Sequence, residues 1–135
     1  MKNLIFLGCT FAFMLLLVSC KNENADRNNT HTNSYEQISQ NEAQSIIETE
    51  VGYTILDVRT KEEYEEGHIK NAICVPVETI SESIFETLPD KDQLILVYCR
   101  SGNRSKKAAQ KLADLGYTNI KEFGGINTWE DELEK

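Results

Sequence analysis

The sequence predicts an α/β layer fold with a largely parallel sheet, carried in one domain over residues 35–135. Three observations point there. Short β-rich apolar runs alternate with segments of helical period, the run from Leu94 to Tyr98 is almost unbroken in its apolar character, and glycines stand where the helices have to stop. A chain of 135 residues with 40% hydrophobic and 27% charged residues suits a single globular domain.

Each element has its own local reason. Tyr35 to Ile38 reads as a short strand, and Ser39-Gln40-Asn41-Glu42 is a capping-box start to a helix with Ala43, Ile46 and Ile47 on its apolar face. Tyr53 to Val58 is the next strand; Thr60-Lys61-Glu62-Glu63 opens a second helix that Gly67 closes. Ile73 to Val77 reads as a third strand, followed by Ile80, Ile84, Phe85 and Leu88 at helical spacing. Leu94 to Tyr98 has the composition of a strand buried on both faces. Ala108, Leu112 and Leu115, with Ala109 and Ala113 beside them, then form a helical stripe that ends at Gly116. Asn119 to Phe123 is the last expected strand, and Gly124-Gly125 turns the chain into a final helix carrying Ile126, Trp129 and Leu133, with Trp129 in the core. In such folds ligands bind outside the carboxyl ends of the strands.

The first residues address the chain. Lys2 precedes an apolar stretch from Leu4 to Val18 that is short for a bilayer span and right for a signal-peptide core. It ends in Leu17-Val18-Ser19-Cys20, which resembles the lipobox of bacterial lipoproteins. The expectation is a signal peptide over residues 1–19, lipidation of Cys20, and export to the periplasmic or cell-surface side of a bacterial membrane. Lys21 to Ser34 contains no large apolar residue, so residues 20–34 read as a lipidated Cys and a flexible tether in which His31 is exposed filler. With 22 Asp and Glu against 14 Lys and Arg, the chain has no basic field for a phosphate backbone, which excludes nucleic acid as the expected partner.

Of the four cysteines, Cys9 leaves with the signal and Cys20 takes the lipid, so Cys74 and Cys99 remain in the folded body and no disulfide framework is indicated. Cys74, within an apolar run, reads as a small buried hydrophobe. Cys99 is different. It follows a buried strand and precedes a helix, where backbone N–H groups converge and the helix dipole is positive, and both favour thiolate over thiol. Arg100 and Arg104 add cations, and Gly102 permits the turn that a backbone cradle needs. Cations in the first turn of a helix oppose its dipole, so an anionic substrate is expected to favour the arginines; Lys106 and Lys107 fit a solvated helix face equally well.

These residues resemble a single rhodanese domain from about Tyr35 to Lys135. Leu56-Asp57-Val58-Arg59, Glu63-Tyr64, Gly67-His68-Ile69, Asn71-Ala72, Val75-Pro76, the loop from Cys99 to Ser105, and Gly124-Gly125 with Trp129 follow one another in that family's order. The resemblance implies about five mostly parallel strands with helices on both faces. It also implies sulfurtransferase chemistry that needs neither metal nor cofactor. Cys99 attacks a small anionic donor such as thiosulfate, carries its outer sulfur as a persulfide, and yields it to a thiol or cyanide.

On the same resemblance Arg100, Ser101, Gly102, Asn103, Arg104 and Ser105 bind the substrate, with their N–H groups cradling the outer sulfur, the arginines holding the donor and Ser105 capping the following helix. Asp57 and Arg59 support the site through ion pairs and loop positioning. His68 packs at a helix end, and Asn71 takes a turn with positive φ. Related phosphatases use a loop one residue longer between Cys and Arg, so the shorter spacing from Cys99 to Arg104 favours sulfur over phosphate or arsenate. A persulfide carrier in a protein relay and a non-catalytic binding module are the other readings, and an intact Cys99 speaks against the second.

Overall fold

The computed structural model describes residues 33–135. The expected signal peptide, Cys20, and the tether up to residue 32, His31 included, lie outside the described residues.

The apolar run before Cys99 forms β5 (Leu94–Cys99), which occupies the centre of the sheet. Ile95, Val97 and Cys99 enter one core and Leu96 and Tyr98 the other, so β5 is buried on both faces as its composition requires. β2 (Tyr53–Asp57) and β6 (Ile120–Gly125) flank it, and β1 (Glu36–Gln37) and β4 (Ile73–Cys74) lie outside them. The order is β1-β6-β5-β2-β4, and each pairing in this five-stranded sheet is parallel.

Helices cover both faces. α1 (Gln40–Thr49) buries Ala43 and Ile46 against the core that holds Leu96, Tyr98 and Phe123. Ser39 caps it by accepting the Glu42 N–H at 3.2 Å. α2 (Lys61–Glu66) starts with a complete capping box, in which Thr60 Oγ1 accepts the Glu63 N–H at 3.3 Å and Glu63 Oε2 accepts the Thr60 N–H at 3.0 Å. On the opposite face α4 (Asn103–Asp114) packs Ala108, Ala109, Leu112 and Ala113 against Val97 and Ile120, its small side chains allowing a close approach. α3 (Ile84–Thr87) joins this second layer. Asn71 adopts the expected left-handed turn, with φ 63°.

Three local expectations fail for identifiable reasons. The strand expected over Ile73 to Val77 is only Ile73–Cys74, because Pro76 has no N–H for a ladder and Val77–Thr79 turns into a short 3₁₀ helix. The helix expected from Ile80 to Leu88 shrinks to Ile84–Thr87, and Ile80 reaches the same core from the preceding turn. The final helix is absent. After a 3₁₀ turn over Ile126–Thr128 the chain extends, and β7 (Leu133–Glu134) pairs antiparallel with β3 (His68–Ile69). Backbone pairing there outweighs the helical spacing of Ile126, Trp129 and Leu133, and Trp129 packs partly buried on the α1 face.

Candidate active site

The parallel sheet ends its central strand at Cys99, and the chain turns at once into α4. Gly102 makes the turn at φ 99°, a conformation costly for side-chain-bearing residues, and its N–H donates to Cys99 Sγ at 3.1 Å. The loop also needs room from β6, where Gly125 pairs in register with Cys99. A Cβ on Gly125 would lie 2.6 Å from Ser101 Cα and from the Arg100 carbonyl carbon, so only glycine lets the loop lie on β6.

Cys99 is 1% exposed. Burial pushes its thiol up, but the Ser105 hydroxyl and the N–H groups of Ser105, Gly102 and Ser101 pull it further down, and the net shift is below the ordinary thiol value. The largest sources of the acidity are hydrogen bonds within the loop. The arginines, expected to add to it, turn to Glu63. Arg104 Nη1 and Nη2 donate to Glu63 Oε2 and Oε1 at 2.6 and 2.8 Å, and Arg100 Nε lies 3.0 Å from Oε1. Arg104, in the first turn of α4, and Arg100, three residues before the helix, thus have a partner inside the chain.

Ser105 is not the helix cap; Gly102 holds that position. Ser105 instead sits buried in the first turn, with Oγ 3.5 Å from Cys99 Sγ, 3.0 Å from Gly102 O and 2.5 Å from Glu122 Oε1. Glu122 is 2% exposed and comes from β6, where register with Val97 turns it toward the face that carries Cys99. It also accepts the Gly124 N–H at 2.9 Å and Gln37 Nε2 at 3.1 Å. The buried carboxylate ties β1, β6 and the loop together through neutral donors. Asn103 opens α4, its side chain exposed.

The other expected residues separate from the loop. Asp57 faces away from Cys99, its carboxylate accepting from Arg59 Nη2 at 2.6 Å and from the Tyr98 hydroxyl at 2.6 Å. Arg59 Nη2 also donates to Gly67 O at 2.7 Å, and the Ile69 N–H donates to Tyr98 Oη at 3.1 Å. The pair therefore positions the segment after α2 and not the Cys99 loop. Burial would lower the Arg59 guanidinium, yet Asp57 holds it above its ordinary value. His68 stacks on Tyr64 with ring centroids 3.7 Å apart, and its Nδ1 lies 3.0 Å from Tyr64 O, a packing arrangement. Cys74 is half-buried rather than fully buried. It pairs with Asp57, and Asp57 with Tyr98, so it shares their face and not that of Cys99, and cannot serve as a resolving thiol.

Sequence reasoning missed two site residues. Glu63 was visible as a capping residue, but its partners lie 41 positions away in Arg104 and 37 in Arg100. Glu122, beside Lys121 in a strand, had the look of a solvent-facing residue, and its burial depends on the register of β6 with β5.

Comparison with known proteins agrees with this architecture. Residues 39–132 match the rhodanese-like domain family. The chain is 37% identical over 71 residues to thiosulfate sulfurtransferase PspE of Escherichia coli, covering 53% of this chain and 68% of that protein. It is 35% identical over 96 residues to thiosulfate sulfurtransferase GlpE of Coxiella burnetii, covering 70% and 87%. Among solved structures, a rhodanese with anions from E. coli is similar with a TM-score of 0.58 at 32% identity, over 62% of this chain and 98% of that one. With a thiol cradled at the end of the central strand of a parallel five-stranded sheet, the chain belongs to the rhodanese family and is a rhodanese-type enzyme.

Proposed function

We propose that this sulfurtransferase moves a sulfane sulfur from thiosulfate, or a related anionic donor, to a thiophilic acceptor through a persulfide on Cys99. The observation that carries this reading is the cradle itself: the Gly102 N–H donates at 3.1 Å to a buried sulfur atom whose thiol the loop holds below its ordinary value. Cys99 Sγ⁻ attacks the outer sulfur of thiosulfate, the S–S bond of the donor breaks, and sulfite leaves with the electron pair. The terminal sulfur of the resulting Cys99–S–S⁻ is then attacked by cyanide or a thiolate, giving thiocyanate or a new persulfide and restoring the Cys99 thiolate. The relatives named as thiosulfate sulfurtransferases support the choice of donor.

The test is to incubate the reduced full chain with thiosulfate under anaerobic conditions and locate added mass by peptide analysis. One sulfur atom on the peptide containing Cys99, released by cyanide with steady-state turnover, is the expected result. Sulfur uptake without release to cyanide or small thiols would instead identify a carrier in a protein relay.

We also propose that the chain is exported and anchored by lipid on Cys20, which the run Leu17-Val18-Ser19-Cys20 after an apolar stretch supports. Cys20→Ser is expected to move the protein out of the lipid-anchored membrane fraction and abolish labelling by a fatty-acid probe. Labelling that persists in the variant removes the proposal.

A further inference from the structure

Arg100 and Arg104 flank the buried thiol, and a single carboxylate holds both. Both Nη atoms of Arg104 are spent on Glu63 in the two-pronged geometry that a guanidinium also uses for an oxyanion, and Arg100 adds its Nε. Glu63 is itself fixed, because the oxygen that takes Arg104 Nη1 also accepts the Thr60 N–H in the capping box of α2. Its side chain is 17% exposed and that of Arg104 30%, so the pair is partly shielded from solvent. Cys99, in the same loop, is 1% exposed.

We propose that Glu63 is a specificity-determining residue, an internal carboxylate ligand that occupies the arginine fork at the mouth of the Cys99 loop and competes there with the anionic group of the sulfur donor. The donor part rests on the sulfur-transfer reading above; the electrostatic part rests on the geometry alone. A small anion reaching Cys99 meets two cations already shared with one anion, so it must displace Glu63 from Arg104 or accept its repulsion. An uncharged reagent of the same size meets neither demand.

The competitor is charged throughout the physiological range. The hydrogen bonds from Arg104 come first in drawing the Glu63 carboxyl down, against some desolvation, and it is lowered to about 2. A group depressed on folding contributes stability above its unfolded value and loses it as pH falls through the folded one. The clamp therefore holds from neutral pH through the ordinary carboxylate range and opens only near pH 2.

Two alkylating reagents read this directly. Iodoacetate and iodoacetamide present the same reacting carbon and differ by one negative charge, so the ratio of their rates at Cys99, resolved by peptide mass, cancels any change in thiol acidity. Glu63→Gln keeps an acceptor for the Thr60 N–H and removes the charge. The expected result is a rise of about three- to tenfold in the iodoacetate-to-iodoacetamide ratio, with KM for thiosulfate falling by a similar factor and kcat little changed. Glu62→Gln removes an equal charge from an exposed neighbour on α2 and is expected to leave both quantities within twofold.

An unchanged ratio and KM in Glu63→Gln overturn the proposal, as does an equal response in Glu62→Gln. A shifted alkylation ratio in a protein that never turns over thiosulfate leaves the clamp standing and refutes the donor reading instead.

Discussion

Cys99→Ser is expected to take up no sulfur from thiosulfate and to lose roughly three orders of magnitude or more of turnover, since removing the nucleophile of the proposed covalent mechanism leaves only binding and positioning. The isosteric hydroxyl keeps a hydrogen-bonding group for the Gly102 N–H, which lies 3.1 Å from the sulfur, so the loop is expected to stay folded. A hydroxyl has no accessible anion at neutral pH and does not form the persulfide. Sulfur found on the variant by peptide mass would place the chemistry on another residue.

The wild-type thiol also carries a pH signature. Burial raises it, the loop hydrogen bonds outweigh burial, and the folded value lies below that of the unfolded chain. Its rate with iodoacetamide is expected to fall as pH drops through that folded value, with a midpoint below the ordinary free thiol at about 8.5. The same depression contributes stability above the unfolded thiol value that is lost as pH falls through the folded one, and Cys99→Ser removes this pH-dependent part. A midpoint at or above the ordinary value would contradict the cradle.

Arg59→Ala is expected to cost about 3–5 kcal/mol of folding stability, because it strands the Asp57 carboxylate, which is 0% exposed, in the core. Asp57 would keep the Tyr98 hydroxyl at 2.6 Å but lose every guanidinium contact, and the Gly67 carbonyl would lose its donor. For a domain of this size the melting temperature is expected to drop by something of the order of 15 °C. Arg59→Lys supplies the charge without the planar fork and is expected to recover only part of the loss. The pair lies on the sheet face opposite Cys99, so iodoacetamide reactivity of the protein that remains folded is expected to match wild type. A stability loss below about 1 kcal/mol would show that the buried charge finds another partner.

The parts of the fold that were legible in the sequence are those set by neighbours a few residues apart. Thr60 and Glu63 announced α2, and the capping box is there. The Leu94 to Tyr98 run announced a strand with both faces buried, and the left-handed turn at Asn71 followed from the family resemblance. The tail from Ile126 to Leu133 misled because helical spacing describes one chain segment in isolation, whereas its conformation answers to the backbone of His68–Ile69, more than sixty residues earlier. Ser105 misled in the same way. Its type and position suit a helix cap, but a buried carboxylate on another strand lies 2.5 Å from its hydroxyl.

By itself the sequence determined where the buried thiol sits and its immediate cradle: a Cys at the end of a buried strand, a glycine that turns the backbone, and N–H groups that follow within six residues. Those are short-range consequences of chain geometry. Tertiary structure decided the electrostatics. Whether Arg104 is free for a donor, whether Glu122 faces solvent or Ser105, and whether Asp57 serves the loop or the opposite core are set by sheet register and helix packing, which bring together polar groups 17 and 41 positions apart. A charge pattern along a chain carries sign and spacing; which charges meet, and how far from water, is a property of the packed fold.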